Sequence, residues 1–138
     1  LLLNLFLSLH RVIDSSLQKS IYTALSGLVL GRIYDQVPAD PQFPYITIGD
    51  EQDVEDGNSC EDGWEVFTDV HVWSRPDAGS KAALKDLMAQ IVPLLAVNLN
   101  VTGFRVVTAK LVNSRSFRDP DGQTEHGVLT FRYLIDPA

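Results

Sequence analysis

The sequence is poor in the residues on which small enzymes and nucleic-acid binders rely. It has one cysteine and one methionine in 138 residues, and no lysine or arginine between positions 33 and 74. A lone cysteine, Cys60, excludes an internal disulfide and any metal site built from several thiolates. The eleven basic residues are scattered, and the formal charge is −7. Phosphate backbones are bound by clustered Lys and Arg, so a nucleic acid is a poor default partner. His10, His71 and His126 have no metal-ligand spacing, no glycine-rich phosphate loop precedes a helix, and no nucleophile-elbow pattern occurs. Internal repeats and low-complexity tracts are absent, and no apolar run reaches the ~20 residues that span a bilayer.

What is present describes one ordinary folded domain. Apolar residues make up 45% of the chain and charged residues 21%, which suits a single core and not general disorder. Acid is concentrated: residues 33–74 hold eleven of the eighteen carboxylates. The centre of this segment, "DEQDVEDGNSCEDG" (50–63), reads as a long polar connection between strands. Asp50, Asp53, Glu55 and Asp56 could hold a divalent cation, but they lack the fixed spacing of an EF-hand loop. A solvated, self-repelling loop accounts for them most simply, and a contact for a basic partner surface is the other reading. Cys60 with His71 or His126 is the one thiol–base combination. Glu55, Asp56, Glu61 and Asp62 around it should raise its pKa, whereas a reactive thiolate needs positive neighbours. The residues therefore predict no catalytic group, no metal and no cofactor.

The start, "LLLNLFLSLHRVID", has Leu or Phe at seven of its first nine positions. It lacks the basic start and cleavage site of a secretory signal, and residues 1–14 read as an appended apolar segment before a single domain at 15–138. A helix is predicted from about Asp14 to Ser26, extendable backwards. Ser15 and Gln18 form a possible capping box, Leu17, Ile21, Ala24, Leu25 and Leu28 its apolar face, and Gly27 and Gly31 its stop. A second helix spans about Gly79 to Leu95. Asp77 or Ser80 can cap it, and Leu84, Leu87, Met88, Ile91, Leu94 and Leu95 form its stripe, with Pro93 near its end.

Strands fill the remainder. "PYITIG" (44–49) follows Pro44, which can open a strand or sit at a sheet edge. In "EVFTDVHVWS" (65–74), Val66, Thr68, Val70 and Val72 point one way, and Phe67, Asp69, His71 and Trp73 the other. Residues 104–117 and 124–135 flank the turn "RDPDG" and predict a long hairpin with Leu129, Phe131, Tyr133 and Ile135 on one face. In that turn Asp119 and Asp121 need no role beyond shaping it. The fold class is α+β: a small antiparallel-rich mixed sheet, two helices packed on one face, and a long C-terminal β-hairpin. The row Phe67–Asp69–His71–Trp73 mixes large rings with polar groups, as faces buried against another chain do. Hairpin arms reaching past a small core offer a second surface, because an open sheet edge templates strand addition.

Several stretches in order, "GRIYDQVPADPQFPYITIGDEQ", "DGWEVFTDVHVWSR" and "SRSFRDPDGQTEHGVLTFRYLIDP", resemble the tail-completion, or tail-terminator, proteins of long-tailed siphophages and gene transfer agents. The resemblance covers about residues 15 to 137. It implies a structural, non-enzymatic subunit of a homohexameric ring that caps the tail tube, stops its growth and presents a joining surface to the head connector. The implied partners are other copies of the chain, the tail tube protein and the head-tail connector protein. An acidic ring would also suit a channel through which DNA passes without specific binding, an expectation from charge and not from the resemblance. The implied location is the bacterial cytoplasm during assembly, then the head-proximal end of a virion tail. Candidate interface residues are Phe67, His71 and Trp73 on the strand, Asp53, Glu55 and Asp56 in the acidic segment, and Arg118, Asp119 and Asp121 at the hairpin tip. A head-side connector or minor tail protein is the alternative, and a small thiol- or metal-dependent enzyme a more distant one.

Overall fold

The computed structural model describes residues 2–55, 63–76 and 81–138, and for residues 2–12 and 50–55 the backbone alone. The chain runs α1 (Leu2–Leu25), β1 (Ile33–Tyr34), β2 (Tyr45–Glu55), β3 (Trp64–Ser74), α2 (Ala82–Leu95), β4 (Phe104–Arg118) and β5 (Glu125–Pro137). The five strands form one sheet in the order β1-β2-β3-β5-β4. Only the short β1–β2 pairing is parallel; every other pair is antiparallel. The expected α+β class therefore holds.

Helix α1 is unbroken across position 14, so Ser15 sits inside it and no capping box forms there. Ile13, Leu17, Ile21 and Leu25 recur every four residues and are all fully buried, as the helical period demands. The helix ends at Leu25, and after an extended Leu28 comes a short turn in which Val29, Leu30 and Gly31 have φ of 45°, 53° and 77°. Glycine takes that conformation freely, whereas Val29 and Leu30 each cost about 1–2 kcal/mol there. Gly27 has no such φ, and Gly31, the other expected stop, lies in the turn beyond the helix end.

Helix α2 begins at Ala82, later than the spacing predicts, and residues 77–80, with both proposed caps, lie outside the described residues. Leu84, Leu87, Met88, Ile91 and Leu95 are buried as expected. Leu94 is not: it is 37% exposed, because three residues on from Ile91 it falls on the flank of the buried stripe. Pro93 lies within the last turn, and the Ala96 amide still reaches the Val92 carbonyl.

Both helices cover one face of the sheet. There Val66, Val70 and Val72 of β3 and Leu129, Phe131, Tyr133 and Ile135 of β5 meet the apolar stripes of α1 and α2 in one cluster. Tyr133 donates its hydroxyl to the Leu95 carbonyl at 2.9 Å, pinning the end of α2 to the sheet. Burial pushes that phenol's pKa upward. Gly127 lets α2 come close: a Cβ there would stand 2.5 Å from the Met88 sulfur.

Two expectations are corrected. Residues 50–55 are not a loop, because β2 continues to Glu55 and pairs with β3 as far as Trp64. Asp53 and Glu55 therefore stand on a strand, and the ladder's backbone hydrogen bonds outweigh the weak strand propensity of acidic residues. Asp56 and Cys60 lie outside the described residues. The hairpin is also no free arm. β5 pairs with β3 along its whole length, from Trp64↔Ile135 to Ser74↔Glu125, and is buried between β3 and β4. What the hairpin leaves open is the outer edge of β4.

Candidate functional site

The second face of the sheet carries no helix among the described residues, and alternation sends the residues between the core positions to it. From β3 come Glu65, Phe67, Asp69, His71 and Trp73, all half-buried, and from β5 come His126, Val128, Thr130, Arg132 and Leu134. Cross-strand neighbours satisfy one another. Thr130 donates to Asp69 at 2.5 Å and Arg132 to Glu65 at 2.5 Å. Phe67 lies directly opposite Arg132.

At one end of this face, rings from all five strands form a continuous band. Tyr34 of β1 lies 5.9 Å from Tyr45 of β2, and Tyr45 stacks on Trp73 of β3 at 6.0 Å. Trp73 stacks closely on His126 of β5, with centroids 3.7 Å apart, and Phe117 of β4 meets His126 edge-on at 4.8 Å. The strand register makes the band, because Tyr45↔Trp73, Trp73↔His126 and Phe117↔His126 are direct partners. Phe43 joins through Tyr45, and the Arg75 guanidinium lies 4.5 Å above its ring, a cation–π contact. Arg32 holds the proline-rich entry in place, donating to the carbonyls of Pro44 and Phe43 next to the cis Phe43–Pro44 bond.

Two histidines meet within the band. His71 Nδ1 and His126 Nε2 are 2.9 Å apart, and His126 Nδ1 is 3.8 Å from an Asp119 oxygen. Burial lowers the pKa of His126, His71 and Arg115 lower it further, and Asp119 opposes them. The hydrogen bond between them has one ring donating and the other accepting, according to the tautomer.

The hairpin tip explains its own residues. Asp121 accepts from the Thr124 hydroxyl, the Thr124 amide and the Gln123 amide. Those bonds hold its carboxyl well below the usual range, and Arg75 adds to the effect. Arg118 donates to Glu125 at 2.7 Å, next to a carboxylate that is 1% exposed. Asp121 and Arg118 thus hold the turn together, and Asp119 faces His126.

The structure brings His71, Trp73 and Asp119 into one patch and places Phe67 farther along the same face. Asp53 and Glu55 lie near the other end of β2, away from the band. Sequence reading missed Tyr34, Tyr45 and Phe117, and considered His126 only as a base or ligand. No single strand displays the band; the available signal was one ring near the matching end of each strand. A groove of about 550 Å³ between α1 and the segment after α2 is lined by Ser16, Lys19, Ser20, Thr23, Leu99 and Asn100, and the Ser20 hydroxyl in it donates to the backbone carbonyls of Ser16 and Asn100. Among the described residues no three His, Cys, Asp or Glu side chains converge as a metal site, and no helix is long and apolar enough to cross a membrane.

A five-stranded sheet with helices on one face and an aromatic band on the other defines a class of small α+β domain. The chain belongs to the tail completion protein gp17 family, whose model matches residues 19–136. It is 27% identical over 109 residues to the tail completion protein gp17 of Bacillus phage SPP1, covering 78% of this chain and 79% of that one. The solved structure of SPP1 gp17 superposes with a TM-score of 0.57 at 26% identity, covering 86% and 88% of the two chains. A chain in the virion of a native gene transfer agent particle shares the fold at a TM-score of 0.75 and 23% identity, covering 90% and 97%.

Proposed function

We propose that this chain is a structural subunit of a phage-type tail, six copies of which close a ring on the head-proximal end of the tail tube. The ring ends tube growth and offers the surface on which the head connector joins. The observation that carries this reading is the family match, which extends over nearly all of the helix-and-sheet unit. A closed ring joins unlike patches head to tail, so each subunit needs two complementary surfaces. The aromatic band suits a contact face, since large rings desolvate well and hold one geometry. The charge of −7 suits a passage through which DNA moves without adhering. Assembly takes place in the bacterial cytoplasm, and the product is carried in the virion tail.

Deleting the gene in a host that makes the particle tests this. The expected result is overlong tails without heads, and six copies of the protein at the end of the tube in electron micrographs of normal particles. Tails of normal length, or density for the protein inside the head-side collar, would overturn the reading in favour of a connector.

A further inference from the structure

The two edges of the sheet carry opposite charge. At one edge, the outer side of the fifteen residues of β4 pairs with no strand among the described residues. It carries Arg105, Lys110, Arg115 and Arg118 and no carboxylate. At the other edge, β1 covers β2 only at Ile46 and Thr47, so residues 48–55 of β2 have no outer partner strand among the described residues. That stretch carries Asp50, Glu51, Asp53 and Glu55 and no cation. Part of the charge on β4 is used within the subunit, by Arg105 with Asp136 and Arg118 with Glu125. Lys110 and Arg115 have no ion-pair partner among the described residues. The β4 edge is also apolar for a solvent-facing strand, with Val107, Val112 and Phe117 exposed by 44%, 46% and 40%.

We propose that the occupant of the β4 edge is residues 48–55 of β2 from a second copy of this chain, so that the sheet continues from subunit to subunit. This rests on the ring reading above and names the contact that closes the ring. Strand direction allows it. Strand β4 runs opposite to β2 within the sheet, because three antiparallel steps separate them. A neighbour related by rotation about a ring axis along the strands keeps its strand directions, so its β2 lies antiparallel to β4 and the alternation continues unbroken.

Charge selects this pairing over the others. An open edge templates any strand, and the usual protection is charge and bulges along it. β4 has both, with irregularities at Val106/Thr108 and Leu111/Asn113. Two β4 edges meeting about a two-fold axis would set cations against cations, Lys110 and Arg115 without internal partners among them, and two β2 edges would set four carboxylates against four. Only the unlike pair attracts. The edge charges thus disfavour closed dimers and favour head-to-tail addition, the arrangement a ring requires. Main-chain hydrogen bonds supply affinity in such strand addition, and the charges supply the choice of partner.

The test reverses each edge separately, in cells that make the particle but lack the native gene. One variant carries Lys110→Glu with Arg115→Glu, and the other carries Asp53→Lys with Glu55→Lys. Each variant alone should lower the number of ring-bearing tails by about tenfold or more. Produced together, they should restore rings of alternating subunits, because each then presents the edge the other needs, and a six-membered ring can alternate. Restoration by mixing also shows that both variants fold. Rings formed normally by either variant alone, or no restoration by the mixture, would overturn the edge pairing. If the native chain itself forms no ring on the tube, the ring reading fails instead, so the two failures are distinguishable.

Discussion

The two faces of the sheet bury their residues by different means. Under the helices, Val66, Val70, Val72, Leu129, Phe131, Tyr133 and Ile135 are at most 1% exposed, and any well-shaped apolar set would serve there. On the opposite face, buried and half-buried residues of several chemical types hold specific partners: ring on ring, histidine on histidine, Thr130 on Asp69. The first arrangement stabilises the subunit. The second costs little when exposed, since its polar groups are paired, yet keeps rings available to a neighbour.

The largest expected effect lies on the covered face. Phe131→Ala leaves a cavity in the middle of the core and should cost about 3–5 kcal/mol in urea unfolding. An equal loss from a substitution on the open face would erase the distinction between the faces. Trp73→Ala is the corresponding change there. Because Trp73 stacks on His126 and Tyr45 within its own chain, it should cost about 1–2 kcal/mol of subunit stability, together with a larger loss of assembly on tail tubes. Assembly at the native level would remove the band from the contact surface.

Thr68 sharpens the comparison from the other side. It is fully buried in the valine row, and its hydroxyl has no hydrogen-bond partner among the described residues. Thr68→Val should raise stability by about 1 kcal/mol, seen as a melting midpoint higher by about 4 °C. Tyr133→Phe has a similar magnitude and opposite sign: it strips the Leu95 carbonyl of its donor and should cost about 1 kcal/mol in the same assay.

The smallest effect is on pH. His126 holds its proton less tightly in the folded chain than in the unfolded one, where its pKa is about 6.5. Below that value the unfolded state binds more protons, so stability is fully present above it and declines as pH falls towards the folded pKa. His71, Asp119 and Arg115 face the same ring and set how steep the decline is. His126→Gln should flatten the profile between pH 7 and 5, and an unchanged slope would place the dependence on another group.

Much of the covered face was legible in the sequence. The four-residue period of Leu17, Ile21 and Leu25 and the alternation in Val66–Val72 and Leu129–Ile135 each follow from one element's own geometry. The β3 row Phe67, Asp69, His71 and Trp73 was legible for the same reason. The band was not, because Tyr34, Tyr45, Trp73, Phe117 and His126 are brought side by side only by the register of four strand pairings. The acidic stretch misled for a related reason. Asp50 to Glu55 have poor strand propensity, and their pairing with β3 is a long-range contact that no local pattern displays.

By itself the sequence determined which residues are apolar and at what period, and hence the helices, the faces of β3 and β5 and the α+β class, since these depend on neighbours within a few positions. It also carried the ordered motifs of the tail completion family. The tertiary structure alone decided which strands lie side by side. Sheet order places β3 in the centre with β5 beside it and leaves β4 as a basic edge, while β1 stops short and leaves an acidic stretch of β2 uncovered among the described residues. Edges and cross-strand bands belong to the pairing and not to any segment, because hydrogen bonding between strands is indifferent to how far apart they lie in the chain.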